Sequence, residues 1–455
     1  MKLLRISIFL LLPFAAFSCR LDYSNDILIV TGNAKSYACP DSLLYAGGFK
    51  IGLINPEKPD QVLKPLTSDF FSACSPDLSF DGKSIIFSGR KNENDPWQIW
   101  EMNPGNNKFK QITSGSENCM FPVFLPGSQI VFSKELRDDS LKSGFSLFKC
   151  NTDGSNIERI TFNPSSWYSS SILADGRILT KCSGNYPEKG SAEFIVLRPD
   201  GTKAELFYKN KGTLTGGKPV ETDQGKIIFT EKTDGSTSKV NSISYNNPFN
   251  SLKSLSGDLP GDFLSVSSGF SGKLTACYRS SPEETYRLFE FDYENGLGTL
   301  LHENKDYDVI EALVLKERER PRKLPSEVDN LVKTGLLMCQ DINTPSLQGN
   351  KRPSKIEILG LNASYGTIIP EQDGSVYLKV LADKPFRLVT MDEEGRVIRM
   401  CNWMSLRPNE RRGCTGCHED PEVVPFNRIP LAIKKAPVIL PVHIEKIQEK
   451  TVELE

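Results

Sequence analysis

Histidine is almost missing from this chain: 455 residues hold only His302, His418 and His443. A Ser-His-Asp hydrolase needs an imidazole beside its nucleophile, and none of the three stands in such a setting. No glycine-rich phosphate loop occurs, which removes nucleotide-dependent roles. Neither charge dominates, with 57 acidic against 55 basic residues, and no basic cluster interrupts the balance, so no nucleic-acid partner is expected. No apolar run reaches the roughly 20 residues of a membrane-spanning helix. The Asp-Gly turns do not repeat an Asp-x-Asp-x-Asp ligand pattern and are read as hairpin turns rather than calcium loops.

Cysteine, in contrast, is plentiful at eleven. Two cysteines stand in Arg411-Arg412-Gly413-Cys414-Thr415-Gly416-Cys417-His418-Glu419, and Cys-x-x-Cys-His is the attachment signature of a c-type haem. Two thiols add across the haem vinyl groups as thioethers, and the adjacent imidazole binds the iron. One covalent haem c on Cys414, Cys417 and His418 is therefore expected. A Cys-x-x-Cys redox pair is one alternative, and a structural zinc held by the same three residues is another. No thioredoxin-like βαβ pattern surrounds the pair, and no second ligand pair with zinc spacing follows. The second axial iron ligand stays open between His443, Met400 or Met404, and an empty position.

Thioether attachment requires export, and the N-terminus has the corresponding pattern. Lys2 and Arg5 precede an apolar stretch from Ile6 to Phe14, and Ala16-Phe17-Ser18 offers a cleavage site before Cys19. Residues 1–18 are read as a lipoprotein signal peptide, with Cys19 lipidated and the protein anchored to a membrane on its periplasmic or cell-surface side. The other eight cysteines, at 39, 74, 119, 150, 182, 277, 339 and 401, are either disulfide-bonded or buried thiols in strands.

A repeat sets the fold class. Gly82, Gly127, Gly176, Gly225 and Gly272 each open a β-branched or aromatic run, such as Ile85-Ile86-Phe87 or Ile227-Ile228-Phe229, and stand 45, 49, 49 and 47 residues apart. That is the period of a four-stranded propeller blade. Second hairpins follow, as from Trp97–Met102 into Phe109–Thr113. Phe49 to Thr67 and Val309 to Leu315 are leftovers that pair to close a ring of six blades, while Ile27 to Val30 is the only strand read before 45.

The expected fold is all-β: an N-terminal segment at 19–44, a six-bladed propeller of WD40-like (PD40) repeats at 45–316, and a charged, proline-punctuated linker at 317–334. A β-sandwich-like domain with the haem loop follows at 335–424, then a Pro-rich tail at 425–455 that runs extended and ends in a helix from Ile444 to Glu455. Trp97 and Trp100 are read as packing between blades and His302 as a solvated blade-edge residue. Asp306 and Asp308 are given no role.

Gly366-Thr367-Ile368-Ile369-Pro370, Asp373-Gly374-Ser375-Val376-Tyr377, Met391-Asp392-Glu393-Glu394-Gly395 and Pro408-Asn409-Glu410 through Glu419 resemble the hydrazine synthase alpha subunit middle-domain family. So does the first full blade, Ser79 to Lys83 with Trp97 to Met102. The resemblance implies a six-bladed propeller joined to a small β domain with one c-type haem on Cys414 and Cys417, and His418 as a metal ligand. In that enzyme the residue matching His418 can serve zinc, with a nearby Tyr on the iron. Residues 419–424 contain no Tyr and no second haem motif follows, so hydrazine synthesis is not expected.

Two functional readings remain. One is a membrane-tethered single-haem protein for electron transfer, or a haem-dependent oxidoreductase acting on a small molecule, with a redox partner or substrate at the propeller. The other is a surface binding propeller with a structural metal at the motif.

Overall fold

The computed structural model describes residues 26–37, 47–57, 62–105, 108–137, 144–187, 190–209, 212–232, 237–343, 353–414 and 427–441. The described strands form eight four-stranded sheets, six in a propeller and two in a sandwich. Blade 1 holds Ser72–Leu78, Ile85–Arg90, Gln98–Met102 and Phe109–Gln111, and blades 2 to 5 repeat that antiparallel order through His302.

Blade 6 closes the ring. Its innermost strand is Asp308–Val314, and its three outer strands are Ile27–Gly32, Lys50–Ile54 and Lys64–Pro65. The register runs from Ile27 opposite Val314 to Gly32 opposite Asp308. The lone early strand thus lies inside the propeller, ahead of the expected start at 45. Asp308 acquires a role here, because its carboxylate accepts from the N–H of Ala34 at 2.8 Å and of Tyr286 at 2.9 Å, tying blade 5 to the closing blade.

Hydroxyl side chains hold the outermost strands. Thr67, Thr113, Thr161 and Ser256 each follow a buried or partly buried aliphatic residue, and each hydroxyl accepts from an N–H of the neighbouring strand, at Ile51, Ile99, Leu147 and Val240. The outermost strands are only two to seven residues long, so these bonds satisfy donors that their ladders do not reach. Trp97 is fully buried and Trp100 half-buried, its ring 5.1 Å from Phe70 in the connection from blade 6 to blade 1, which is packing between blades as expected.

The innermost strands bend around the axis. Register breaks lie at Cys74/Asp77, Met120/Val123 and Tyr168/Ser171, where Ser75, Phe121 and Ser169 take φ of 54°, 55° and 52°. Bulges of this kind sharpen strand curvature. Buried polar groups serve the displaced backbone. Lys181 donates to the carbonyls of Thr215 and Gly216 at 2.8 Å each, and Lys218 reaches from blade 4 to Pro76 and Pro122 in blades 1 and 2 at 3.1 and 3.0 Å. Burial pulls the Lys181 ammonium down to about 7 and that of Lys218 to about 8, and pushes the Glu311 carboxyl up to about 8.

The segment after blade 6 is not a free linker. Lys316 donates to Gly269 O, Arg318 ion-pairs with buried Asp77 at 3.0 Å, Arg322 N donates to Ala174 O, and Arg198 holds Pro325 O at 2.6 Å. It straps across the inner-hairpin turns of blades 1 to 3.

The second domain is a two-sheet sandwich. Arg411–Cys414, Thr334–Cys339, Val376–Leu381 and Val438–Leu440 form one sheet, and Ser364–Ile368, Lys355–Gly360, Phe386–Met391 and Val397–Met400 the other. Leu337, Ile356, Ile358, Leu378, Val380, Phe386 and Leu388 fill the space between them. Alternation along Val376–Leu381, with Val376, Leu378 and Val380 buried, is the period-two pattern of a strand with one face on a core. The expected terminal helix lies outside the described residues.

Two outcomes test this description. An added Cβ at Gly176 (φ +91°) would stand 2.0 Å from Arg322 O, whereas one at Gly225 (φ +67°) meets nothing within 4 Å. Gly225→Ala should cost about 1–2 kcal/mol for the left-handed backbone alone, and Gly176→Ala clearly more, with the 316–325 strap newly open to proteolysis. The second concerns Glu311. The folded chain keeps its proton up to about pH 8, while the unfolded chain loses it near 4.5. Its contribution to stability is thus fully present below 4.5 and lost as pH rises through 8. Melting curves should show Glu311→Gln gaining stability on the parent progressively from pH 5 to pH 8.

Candidate functional site

The strand that ends in Cys414 starts from a buried turn. Asn409, at φ 65°, donates to Thr334 O, and Glu410 N donates to Arg407 O, after which Arg411–Cys414 runs parallel to Thr334–Cys339. Leu336 N to Glu410 O at 2.8 Å and Gln340 N to Cys414 O at 2.9 Å fix both ends of the pairing. Arg411 faces Leu336 in this register, and Cys414 faces Cys339.

Glu410 is wholly buried, so its charge needs partners. It accepts from Arg407 N at 2.7 Å, from Lys203 N in blade 3 at 2.8 Å, and from Arg412 Nε and Nη2 at 2.9 and 2.7 Å. Arg407, also buried, spends its whole fork: Nη2 on Glu158 at 2.6 Å, Nη1 on Asp383 at 2.8 Å, and Nε on Asp200 O at 3.0 Å, with the guanidinium over Phe162. Burial pushes the Asp383 carboxyl up, and Arg407 opposes that shift. Trp403 adds a second attachment, donating from Nε1 to Tyr186 O at 3.0 Å while its own carbonyl accepts from Asn163. Blades 2 and 3 therefore carry the sandwich and, with it, the start of the strand that ends in Cys414.

Beyond the motif the chain is pinned again. Arg428 donates to Gln340 O and Asp373 O at 2.8 Å each and ion-pairs with Asp341 at 3.1 Å. Cys414 and Arg428 are thus both tied to the end of the same strand, next to Gln340. Cys414 is half-buried, and an added Cβ at the neighbouring Gly413 would meet nothing within 4 Å among the described residues, none of which walls in this sheet edge. That fits attachment of a large planar group.

Of the other expected site residues, Cys417, His418, His443 and Cys19 lie outside the described residues. Met400 is 41% exposed on an edge strand of the opposite sheet. Met404 is half-buried against the sandwich core, its backbone paired with Phe386. His302 is not simply solvated: it stacks on Tyr307 with Nε2 3.1 Å from the hydroxyl, and burial lowers its pKa.

Three similarities bear on this arrangement. The family model for the hydrazine synthase alpha subunit middle domain matches residues 346–419. That stretch is similar to the family over its matched length and takes in the Cys-x-x-Cys-His motif as far as Glu419. Over 68 residues the chain is 35% identical to hydrazine synthase subunit alpha of Kuenenia stuttgartiensis, which is 15% of this chain and 8% of that protein. The solved Kuenenia stuttgartiensis hydrazine synthase overlays 90% of this chain and 71% of its own with a TM-score of 0.78 at 18% identity, so the same fold extends across the propeller and sandwich. TolB of Acinetobacter baumannii covers 64% of the chain at a TM-score of 0.45 and 15% identity. The resemblance read from 366–419 stands, and so does the all-β propeller-plus-sandwich fold.

Arg407 and Trp403 were not legible as functional residues, although Pro408-Asn409-Glu410 belongs to the stretch that carried the resemblance. Removing Arg407 leaves buried Asp200 O and Asp383 short of a partner. Because Glu158 and Asp383 keep some solvent, Arg407→Ala should cost nearer 3 than 5 kcal/mol, and denaturation monitored by Trp403 fluorescence should show the sandwich loosening before the propeller.

Proposed function

We propose that this chain is an exported, membrane-tethered protein that carries one covalent haem c on Cys414 and Cys417, with His418 as an iron ligand. It serves electron transfer or redox chemistry on a small molecule, and the propeller acts as scaffold and docking surface. The observation that carries this reading is the Cys-x-x-Cys-His motif at the end of the family match, its first cysteine closing a strand held by Glu410, Arg407 and Arg412.

Haem bound there supplies one-electron redox and, with one axial position open, a place for a small ligand. The chain's own residues orient it. Glu410 and Arg412 fix the backbone leading into Cys414, and Arg428 fixes the chain on its return. A second axial ligand comes from His443, Met400 or Met404, or from none of them. The signal sequence and Cys19 support export and lipid anchoring, with a redox protein or a small substrate as partner. The hydrazine synthesis named for the relative is not part of this reading, because the sequence match spans 8% of that protein.

Protein matured in a periplasm with haem-attachment machinery decides the matter. The expected result is a pyridine haemochrome spectrum and haem that stays with the denatured chain, with Cys414→Ala and Cys417→Ala each losing one thioether. Carbon monoxide binding to the reduced form would mark an open site and small-molecule chemistry, and no binding an electron carrier. Zinc without haem would overturn the proposal in favour of a binding propeller with a structural metal.

A further inference from the structure

We propose that Cys339 is the disulfide partner of Cys414 in the haem-free protein, and that this bond must be reduced before Cys414 can take a haem. The first half stands on the sandwich alone, whereas the second rests on the haem reading above.

The register carries the argument. Cys339 and Cys414 are the last residues of two parallel strands and lie directly opposite one another. In-register residues on adjacent strands project from the same face with Cα atoms about 4.8 Å apart, inside the roughly 4.4–6.8 Å window of disulfides. The bond from Gln340 N to Cys414 O at 2.9 Å holds that register to its final residue. Both side chains reach the same apolar cluster, Cys339 as a member and Cys414 at its margin.

No other described pair of cysteines meets this condition. Cys74 faces Ser88, Cys119 faces Lys134, Cys150 faces Ile130, Cys182 faces Trp167 and Glu193, Cys277 faces Ser265 and Leu288, and Cys401, at the margin of the same cluster, is bonded through its backbone and thiol to Leu388.

The exposure difference orders the chemistry. Cys414 is half-buried and meets an exogenous disulfide, protein-borne or small, while Cys339 at 1% exposure does not. The Cys414 thiolate attacks that disulfide, forming a mixed disulfide and releasing one thiolate. The Cys339 thiolate then attacks the Cys414 sulfur, forming the internal bond and releasing the second thiolate. The exogenous disulfide gains two electrons and the two protons lost by the cysteines. A dithiol reductant reverses both steps and restores the Cys414 thiol that thioether formation consumes.

The test uses the full chain exported to the periplasm without haem-attachment machinery, alkylated in acid, digested without reduction and mapped by mass spectrometry. A peptide containing Cys339 joined to one containing Cys414 is expected. Cys414 joined to Cys417 instead, or alkylated in most molecules, overturns the pairing. With the machinery present and reductant limiting, Cys339→Ala should carry a larger covalent haem fraction than the parent, and equal fractions overturn the gating step. If the cross-link is found and no variant takes haem, the pairing stands and the haem reading fails.

Discussion

The pairing of Ile27–Gly32 with Asp308–Val314 is the constraint on which the rest of the molecule depends. Five blades with four strands each would leave two open sheet faces, and an open, apolar face costs roughly 25 cal/mol for every Å² left in water. Closing the ring with a blade built from both ends buries Ile27, Ile29, Val309, Ala312 and Val314 together with Cys277 and Leu288 of blade 5. It also removes the ends as independent units, because neither the early strand nor the late one has another sheet to join. The strap that follows depends on that closure, since the chain can cross blades 1 to 3 only after Val314 has been fixed beside Ile27.

The join between propeller and sandwich works differently. Its centre is polar, with one buried arginine, one buried glutamate and backbone carbonyls. Such pairs lose several kcal/mol per ion to desolvation and add little to net stability. What they confer is geometry. A planar guanidinium satisfied at Glu158, Asp200 and Asp383 admits one placement of the sandwich against blades 2 and 3, where an apolar contact would tolerate sliding. That placement also fixes where the strand ending in Cys414 starts.

The parts legible in the sequence were those whose physics is local. Glycine turns at propeller spacing, alternating strands and the Cys-x-x-Cys-His signature each declare themselves within a few residues. The parts that escaped depend on distant partners. Ile27–Gly32 looked like a stray strand because its neighbour lies at the far end of the propeller. Thr334–Cys339 was not expected as a strand, since it pairs in parallel with Arg411–Cys414, which follows it by more than the whole of the opposite sheet. Arg407 reads as one arginine among many until Glu158, Asp200 and Asp383 are brought around it. The hydroxyls at Thr67, Thr113, Thr161 and Ser256 were within reach, because each follows an aliphatic residue at the end of a blade, but a single Thr after Ile carries no message without the repeat.

The motif and the scaffold together narrow what the site can do. Here the residues flanking the motif converge on one strand end: Cys414 accepts from Gln340 N, and Arg428 donates to Gln340 O. Both bonds meet at one residue, Gln340. The span between them is closed by backbone pairing on one side and by an arginine shared with Asp341 and Asp373 on the other. The two described ends that border the motif are thus held from different domains, Cys414 by way of Glu410 and its propeller contacts and Arg428 by way of Asp341 and Asp373 in the sandwich.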